Sequence, residues 1–145
     1  MSLRLERLVY ESTATGTTES IGNLAVILAE SQRNNDRDGL TGALAAHRDR
    51  YIQVIEGPAQ TLDALLRRLE NDPRHRDIIL LHREPISERL FSRWTMANAR
   101  ITPIHGAALD SLVDDDELTP REVIGILLDA LRKAEADRAT PRPPS

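Results

Sequence analysis

The chain contains no cysteine. That excludes a disulfide framework, a thiolate nucleophile and any zinc or iron–sulfur site built on thiolates. Lys133 is the only lysine and falls near the end of a polar helix face, so Schiff-base chemistry is not expected. Aromatic residues make up 3% of the 145 positions: Tyr10, Tyr51, Phe91 and Trp94. A core must therefore be built from Leu, Ile, Val and Ala, and the places of those four aromatics carry information. The apolar run Ile78 to Leu81 falls far short of the roughly 18 residues of a membrane span. The first residues, Met1-Ser2-Leu3-Arg4-Leu5-Glu6, lack the apolar stretch of a secretion signal. A cytoplasmic protein with no membrane role is the expectation. The net charge of −4 leaves no basic footprint, so direct nucleic-acid binding is not expected either. There is no glycine-rich phosphate loop and no G-x-S-x-G elbow. His47, His75, His82 and His105 fall on separate elements, so no metal site is expected.

What is present is the patterning of one domain of helices and strands. Leu3 to Ser12 reads as a strand, with Leu8, Tyr10 and Ser12 on one face and Arg7, Val9 and Glu11 on the other. Ser20 to Arg33 reads as a helix through Ile21, Leu24, Ala25 and Leu28, with Asn34-Asn35-Asp36 ending it. Two strands, Leu40 to His47 and Tyr51 to Glu56, are joined by Arg48-Asp49-Arg50 as a hairpin. Leu62, Leu65, Leu66 and Leu69 place a second helix over Ala59 to Asn71, which Pro73 cannot continue. Ile78 to His82 and Arg93 to Ala99 read as the last strands, with Trp94, Met96 and Asn98 on one face.

This order, βαββαββ, is the α+β ferredoxin-like pattern with one extra strand. Two helices would cover one sheet face. The other face is expected to be covered by C-terminal helices: a short one around Gly106 to Val113 and a longer one. Thr119-Pro120-Arg121-Glu122 has the residues of a capped helix start, followed by the stripe Val123, Ile124, Leu127, Leu128 and Leu131. The acidic run Asp114 to Glu117 reads as a solvated linker. The expected division is a domain over 1–100, a helical extension packed on the sheet over 101–138, and a disordered proline-rich tail over 139–145.

Several polar residues fall where apolar ones are expected. Gln53 lies mid-strand between Ile52 and Val54, and Tyr51 and Ile55 share its face. Either that face meets solvent, or a buried amide needs a partner, for which a tyrosine hydroxyl on the next strand is suited. Arg68 and Asp72 stand four apart at the border of the second helix's apolar stripe. They are an ordinary surface pair, or the polar rim of a cleft between the two helices. Asn34 and Asn35 end the first helix and would face the same cleft.

Six strings in this order resemble the BLUF family of flavin-using blue-light sensors, over roughly Leu3 to Ala99. They are Arg7-Leu8-Val9-Tyr10-Glu11-Ser12, Ser31-Gln32-Arg33-Asn34-Asn35, Gly39-Leu40-Thr41-Gly42, Gln53-Val54-Ile55-Glu56-Gly57-Pro58, Asp72-Pro73-Arg74-His75, and Arg89-Leu90-Phe91-Ser92-Arg93-Trp94-Thr95-Met96. The resemblance implies a non-covalent FAD whose ring lies between the two helices; FMN and riboflavin share that ring and are the alternatives. Tyr10 matches the photoactive tyrosine and Gln53 the switching glutamine. Asn35, with Asn34 beside it, matches the asparagine at the carbonyl edge of the ring. Arg68 and Asp72 match the contacts to its pyrimidine end, Ile27 an aliphatic residue packed on it, and His75 a position near it. Trp94 and Met96 match residues that pass the signal to the sheet. The implied function is a blue-light photoreceptor, not an enzyme, in which light rearranges the Tyr10–Gln53–flavin hydrogen bonds. Output would go to an effector protein in trans or through a homo-oligomer. Rival readings are a protein-interaction module of the same fold without flavin, and an acylphosphatase-like enzyme. The latter lacks an anion-cradling loop, since Ser12 to Thr18 has one glycine and no arginine.

Overall fold

The computed structural model describes residues 4–14, 21–47, 50–71, 75–92, 94–99, 105–109 and 119–139. Of the segment Ser12 to Thr18, residues 12–14 belong to the first strand and residues 15–18 lie outside the described residues, as do Arg48-Asp49, Asp72-Pro73-Arg74, the acidic run 114–117 and the tail from residue 140. Five strands are present: β1 (Leu5–Ala14), β2 (Thr41–His47), β3 (Arg50–Pro58), β4 (His75–Pro85) and β5 (Ala97–Asn98). The helices are α1 (Ile21–Asp38), α2 (Ala59–Glu70), the short α3 (residues 105–109) and α4 (Pro120–Ala139).

The strand order is β4-β1-β3-β2-β5. The first four strands pair antiparallel in the ferredoxin-like order, and β5 adds parallel to β2. Because β1 and β3 are central, both of their faces are buried, and the alternation seen in the sequence separates two core layers. Leu8, Tyr10, Leu44, Tyr51 and Ile55 pack with Leu62 and Leu65 of α2, and Leu28 of α1 borders them. Val9, Ala43, Ala45, Ile52 and Val54 pack on the opposite face with Val123, Leu127 and Leu131 of α4. The expected C-terminal cover is therefore in place. At its start the Thr119 hydroxyl accepts from the Glu122 N–H at 3.2 Å and donates to the Glu122 carboxylate at 3.2 Å. Of the helix expected around Gly106 to Val113, residues 105–109 are helical and the rest lies outside the described residues.

Several boundaries differ from the sequence expectation: β1 runs on to Ala14 and β4 covers His75–Pro85 where Ile78 to His82 was expected, and two further differences bear on the site. Helix α1 does not stop at Arg33; it runs through Asn34 and Asn35 to Asp38. Gly39, at φ 71°, ends it in the left-handed region, and the Leu40 N–H returns to the Asn35 carbonyl at 2.8 Å. The last strand is also shorter than Arg93 to Ala99, covering two residues. The carbonyls just before it are taken outside a ladder. Trp94 O accepts from the Gly42 N–H at 2.9 Å, Thr95 O from Asn35 Nδ2 at 2.6 Å, and Met96 O from Gln32 Nε2 at 3.0 Å. Consequently Trp94 and Met96 do not share a face. Trp94 joins the α4 layer, edge to face with Phe91 at 6.3 Å, and Met96 joins the Tyr10 layer.

Candidate functional site

The site begins with a pair fixed by strand register. Tyr10 on β1 stands directly opposite Gln53 on β3. Opposed residues of an antiparallel pair share a face, with their Cβ atoms about 5 Å apart. Tyr10 is 0% and Gln53 3% exposed. Gln53 therefore does not face solvent; Tyr51 and Ile55 draw its face into the core. On its other side Gln53 stands opposite Leu44 of β2. A phenol and an amide thus lie side by side in a layer that is otherwise Leu, Ile, Tyr and Met.

The C-terminal half of α1 brings a second amide. Asn35 is 1% exposed and donates to the Thr95 carbonyl. An asparagine amide has two N–H donors and a carbonyl acceptor, so that bond commits only part of its capacity. Gln32, one turn earlier, holds the next carbonyl of the same segment. Asn34 is half-buried. Arg68 is exposed on α2, and its Nη2 reaches Asp38 Oδ2 at 3.2 Å. The described partner of Arg68 is thus Asp38 at the end of α1, which ties the two helices together; Asp72 lies outside the described residues. The hydrogen bond from Arg37 holds the Asp38 carboxyl below its ordinary range; burial opposes this, and the charges of Arg37 and Arg68 add to it. Ile27 lies on α1 and His75 starts β4, and the surroundings of their side chains are outside what is described.

On the opposite face a buried charge cluster supports the segment that leads to Trp94. Glu56, 0% exposed, pairs with Arg7 at 2.8 Å and accepts from the Leu90 and Phe91 N–H groups at 2.9 and 2.8 Å. Arg7 also holds Glu84 at 2.9 Å. Burial pushes the Glu84 carboxyl up, but the hydrogen bonds and charges of His82 and Arg7 leave it below its ordinary value. Arg89 braces the same turn, donating to Thr41 Oγ1, the Glu56 carbonyl and the Gly39 carbonyl at 3.0, 3.3 and 2.8 Å. Gln32, Asp38 and the Arg7–Glu56 pair were not singled out from the sequence. Only Asp38 had a local signal, the glycine that follows it.

The arrangement suits a planar heteroaromatic ligand with polar edges. It offers an apolar layer, two buried amides, a buried phenol and a cation at the rim. No group of His, Asp or Glu among the described residues has metal-site geometry, and no helix there is long and apolar enough to cross a membrane.

A family model described as sensors of blue-light using FAD, the BLUF model, matches residues 5–97. The beta subunit of the photoactivated adenylate cyclase of Euglena gracilis is 33% identical over 96 residues, which are 66% of this chain and 11% of that protein. The alpha subunit from the same organism is 30% identical over 102 residues, 70% of this chain and 10% of that protein. This chain thus spans about a tenth of the length of those curated relatives. Among solved structures, the dark state of BlrB, a BLUF protein, is similar with a TM-score of 0.75 at 28% identity, covering 92% of this chain and 99% of that one. BlsA in its photo-activated state shares the fold, with a TM-score of 0.75 at 22% identity over 97% of this chain and 99% of that one.

Proposed function

This chain belongs to the BLUF family, sensors of blue light using FAD, and from that premise we propose that Tyr10 and Gln53 are its photoactive pair. The observation that carries the proposal is their direct opposition inside one buried layer. Bound FAD supplies the blue absorption and, once excited, an acceptor for an electron and a proton.

The chain's own residues account for the rest. Asn35, Arg68 and the Leu and Ile side chains of the α2-side layer hold the ring, with Ile27, Asn34, Asp72 and His75 assigned to the same site. The Tyr10 phenol carries a proton that can leave and return. Gln53 has a donor end and an acceptor end, so turning its amide reverses the sense of its hydrogen bonding. Because Tyr10 and Gln53 are buried, the new arrangement is shielded from bulk water and outlasts the light pulse. Met96 lies in the same layer and Trp94 in the layer under α4, and both are assigned to output. We assign the chain a sensory role without turnover of a substrate. It acts in the cytoplasm through an effector protein or through self-association.

Difference spectra before and after blue light test the reading. Wild type is expected to bind flavin and show a small red shift that reverses in darkness. Tyr10→Phe keeps the packing and should retain flavin without the shift, and Gln53→Leu should do the same. A normal reversible shift in Tyr10→Phe would overturn the assignment. A colourless protein that cannot be loaded with flavin would overturn the whole reading.

A further inference from the structure

Residues 94–96 approach β5 outside its ladder, yet each of their three carbonyls is taken. The donors differ in kind. Trp94 O accepts from the backbone N–H of Gly42, inside β2. Thr95 O accepts from Asn35 Nδ2, on a side chain that is 1% exposed. Met96 O accepts from Gln32 Nε2 at 3.0 Å, on a residue that is exposed. An exposed glutamine regains rotamer freedom when it lets go and finds water to bond instead. Of the three bonds, the one from Gln32 is therefore the first to yield when the segment is pulled.

We infer that Gln32 is a positioning residue for the light response: it clasps the Met96 carbonyl to α1 in darkness and releases it when the Gln53 amide rearranges. The inference rests on the reading of Tyr10 and Gln53 as the photoactive pair and extends it to a residue that touches neither.

The packing puts the clasp within reach of that event. Met96 lies in the layer that holds Tyr10 and Leu44, and Leu44 stands opposite Gln53. Met96 is 3% exposed, and a packed layer passes on a displacement because it has little free volume to absorb one. Gln32 and Asn35 stand three apart, which sets them on one face of α1, and they grip successive carbonyls. Asn35 is also the amide assigned to the edge of the flavin ring, so one helix face holds both the ring and the output segment. Releasing Met96 while Asn35 keeps Thr95 turns the segment about the Asn35 bond. The strength of the clasp suits a reversible response. One neutral hydrogen bond shifts an equilibrium by about two- to tenfold, enough to hold the segment in darkness and little enough for a displaced side chain to break.

The chain has two methionines, Met1 and Met96, so methionine labelled with carbon-13 at its carbonyl reports Met96 against one terminal residue. The probe is the full chain loaded with FAD, read by carbonyl infrared and NMR spectra in darkness and by light-minus-dark infrared spectra. Gln32→Glu keeps the shape but offers no donor, because a carboxylate only accepts. In darkness it should move the Met96 carbonyl signal away from its wild-type position, as should Gln32→Ala. Gln32→Arg restores a donor and should keep the signal close to wild type. Under blue light the wild-type difference spectrum should show the labelled carbonyl leaving its bonded position. Gln32→Glu should lose that band while the red shift of the flavin keeps its size. A dark carbonyl signal identical in wild type and Gln32→Glu would overturn the clasp. A wild-type red shift with no labelled carbonyl band would overturn the release and leave the photoactive pair standing. A labelled band that persists unchanged in Gln32→Glu would take the release away from Gln32. A wild type with no red shift would overturn the functional reading and the release together, and the dark comparison would still decide whether Gln32 holds Met96.

Discussion

Replacing Glu56 with glutamine swaps one carboxylate oxygen for an NH2 group, keeps the shape and removes one charge, so its cost measures what the buried carboxylate does. Both oxygens are committed: Oε2 takes Arg7 and the Leu90 N–H, and Oε1 takes the Phe91 N–H. An amide has one oxygen, so its NH2 end must face a donor whichever way it turns. Either the Phe91 N–H, or the Leu90 N–H together with Arg7, loses its acceptor inside the protein. Removing one partner of a buried ion pair costs about 3–5 kcal/mol. Arg7 keeps Glu84, which holds the cost to the lower end, about 3 kcal/mol. For a chain of this size that corresponds to a fall in Tm of roughly 6–12 °C. Thermal and urea unfolding followed by circular dichroism would read it. Glu84→Gln touches the same arginine from a more exposed position and should cost about 1 kcal/mol or less. The two backbone donors separate this cluster from a simple ion pair. A double variant, Arg7→Met with Glu56→Leu, removes both charges yet leaves the Leu90 and Phe91 N–H groups without an acceptor. It should remain destabilised where an isolated pair would be neutral or improved. A Glu56→Gln midpoint within about 0.5 kcal/mol of wild type would refute the reasoning.

Two further outcomes follow from other parts of the fold. A Cβ at Gly42 would collide with the Val54 backbone carbonyl, whereas one at Gly57 would meet the Leu40 side chain, which can turn aside. Gly42→Ala should therefore cost at least about 2 kcal/mol, and clearly more than Gly57→Ala, in paired urea titrations; equal costs would show that β2 and β3 can separate freely. Asp38 gives a pH dependence with a defined sign. Its carboxyl is lowered in the folded state, so its contribution is complete above the unfolded value near ~3.9 and is lost as pH falls through the folded one. Wild type should exceed Asp38→Asn in urea midpoint at neutral pH and converge with it as pH falls through the lowered titration range of the folded carboxyl; a gap that persists once that carboxyl is protonated would assign the effect to shape and not to charge.

The two apolar stripes, on α2 and α4, and the alternation of β1 and β3 were legible because each is a local period that the fold uses unchanged. The inward direction of Gln53 was legible for the same reason, through Tyr51 and Ile55 beside it. Asn34-Asn35 was misread as a helix end because the competing partner lies far along the chain. Asparagine disfavours a helix interior when its amide competes for nearby backbone, but the Asn35 amide is engaged by Thr95, 60 positions away. Glu56 looked like the polar end of a strand, and its partners are 49, 34 and 35 positions distant. The same cause hid the course of residues 94–96. Alternation assumed an extended ladder and put Trp94 and Met96 on one face, whereas two side-chain amides of α1 take the carbonyls of Thr95 and Met96 and turn the chain. That turn has a consequence for output. With Met96 in the Tyr10 layer and Trp94 in the α4 layer, the segment touches both faces of the sheet. It is gripped by Gln32 and Asn35 on one side and approached through the Glu56 cluster on the other. On the proposed assignment of Met96 and Trp94 to output, a displacement of Met96 would act against those two amide bonds, and Trp94 stands in the layer that α4 covers.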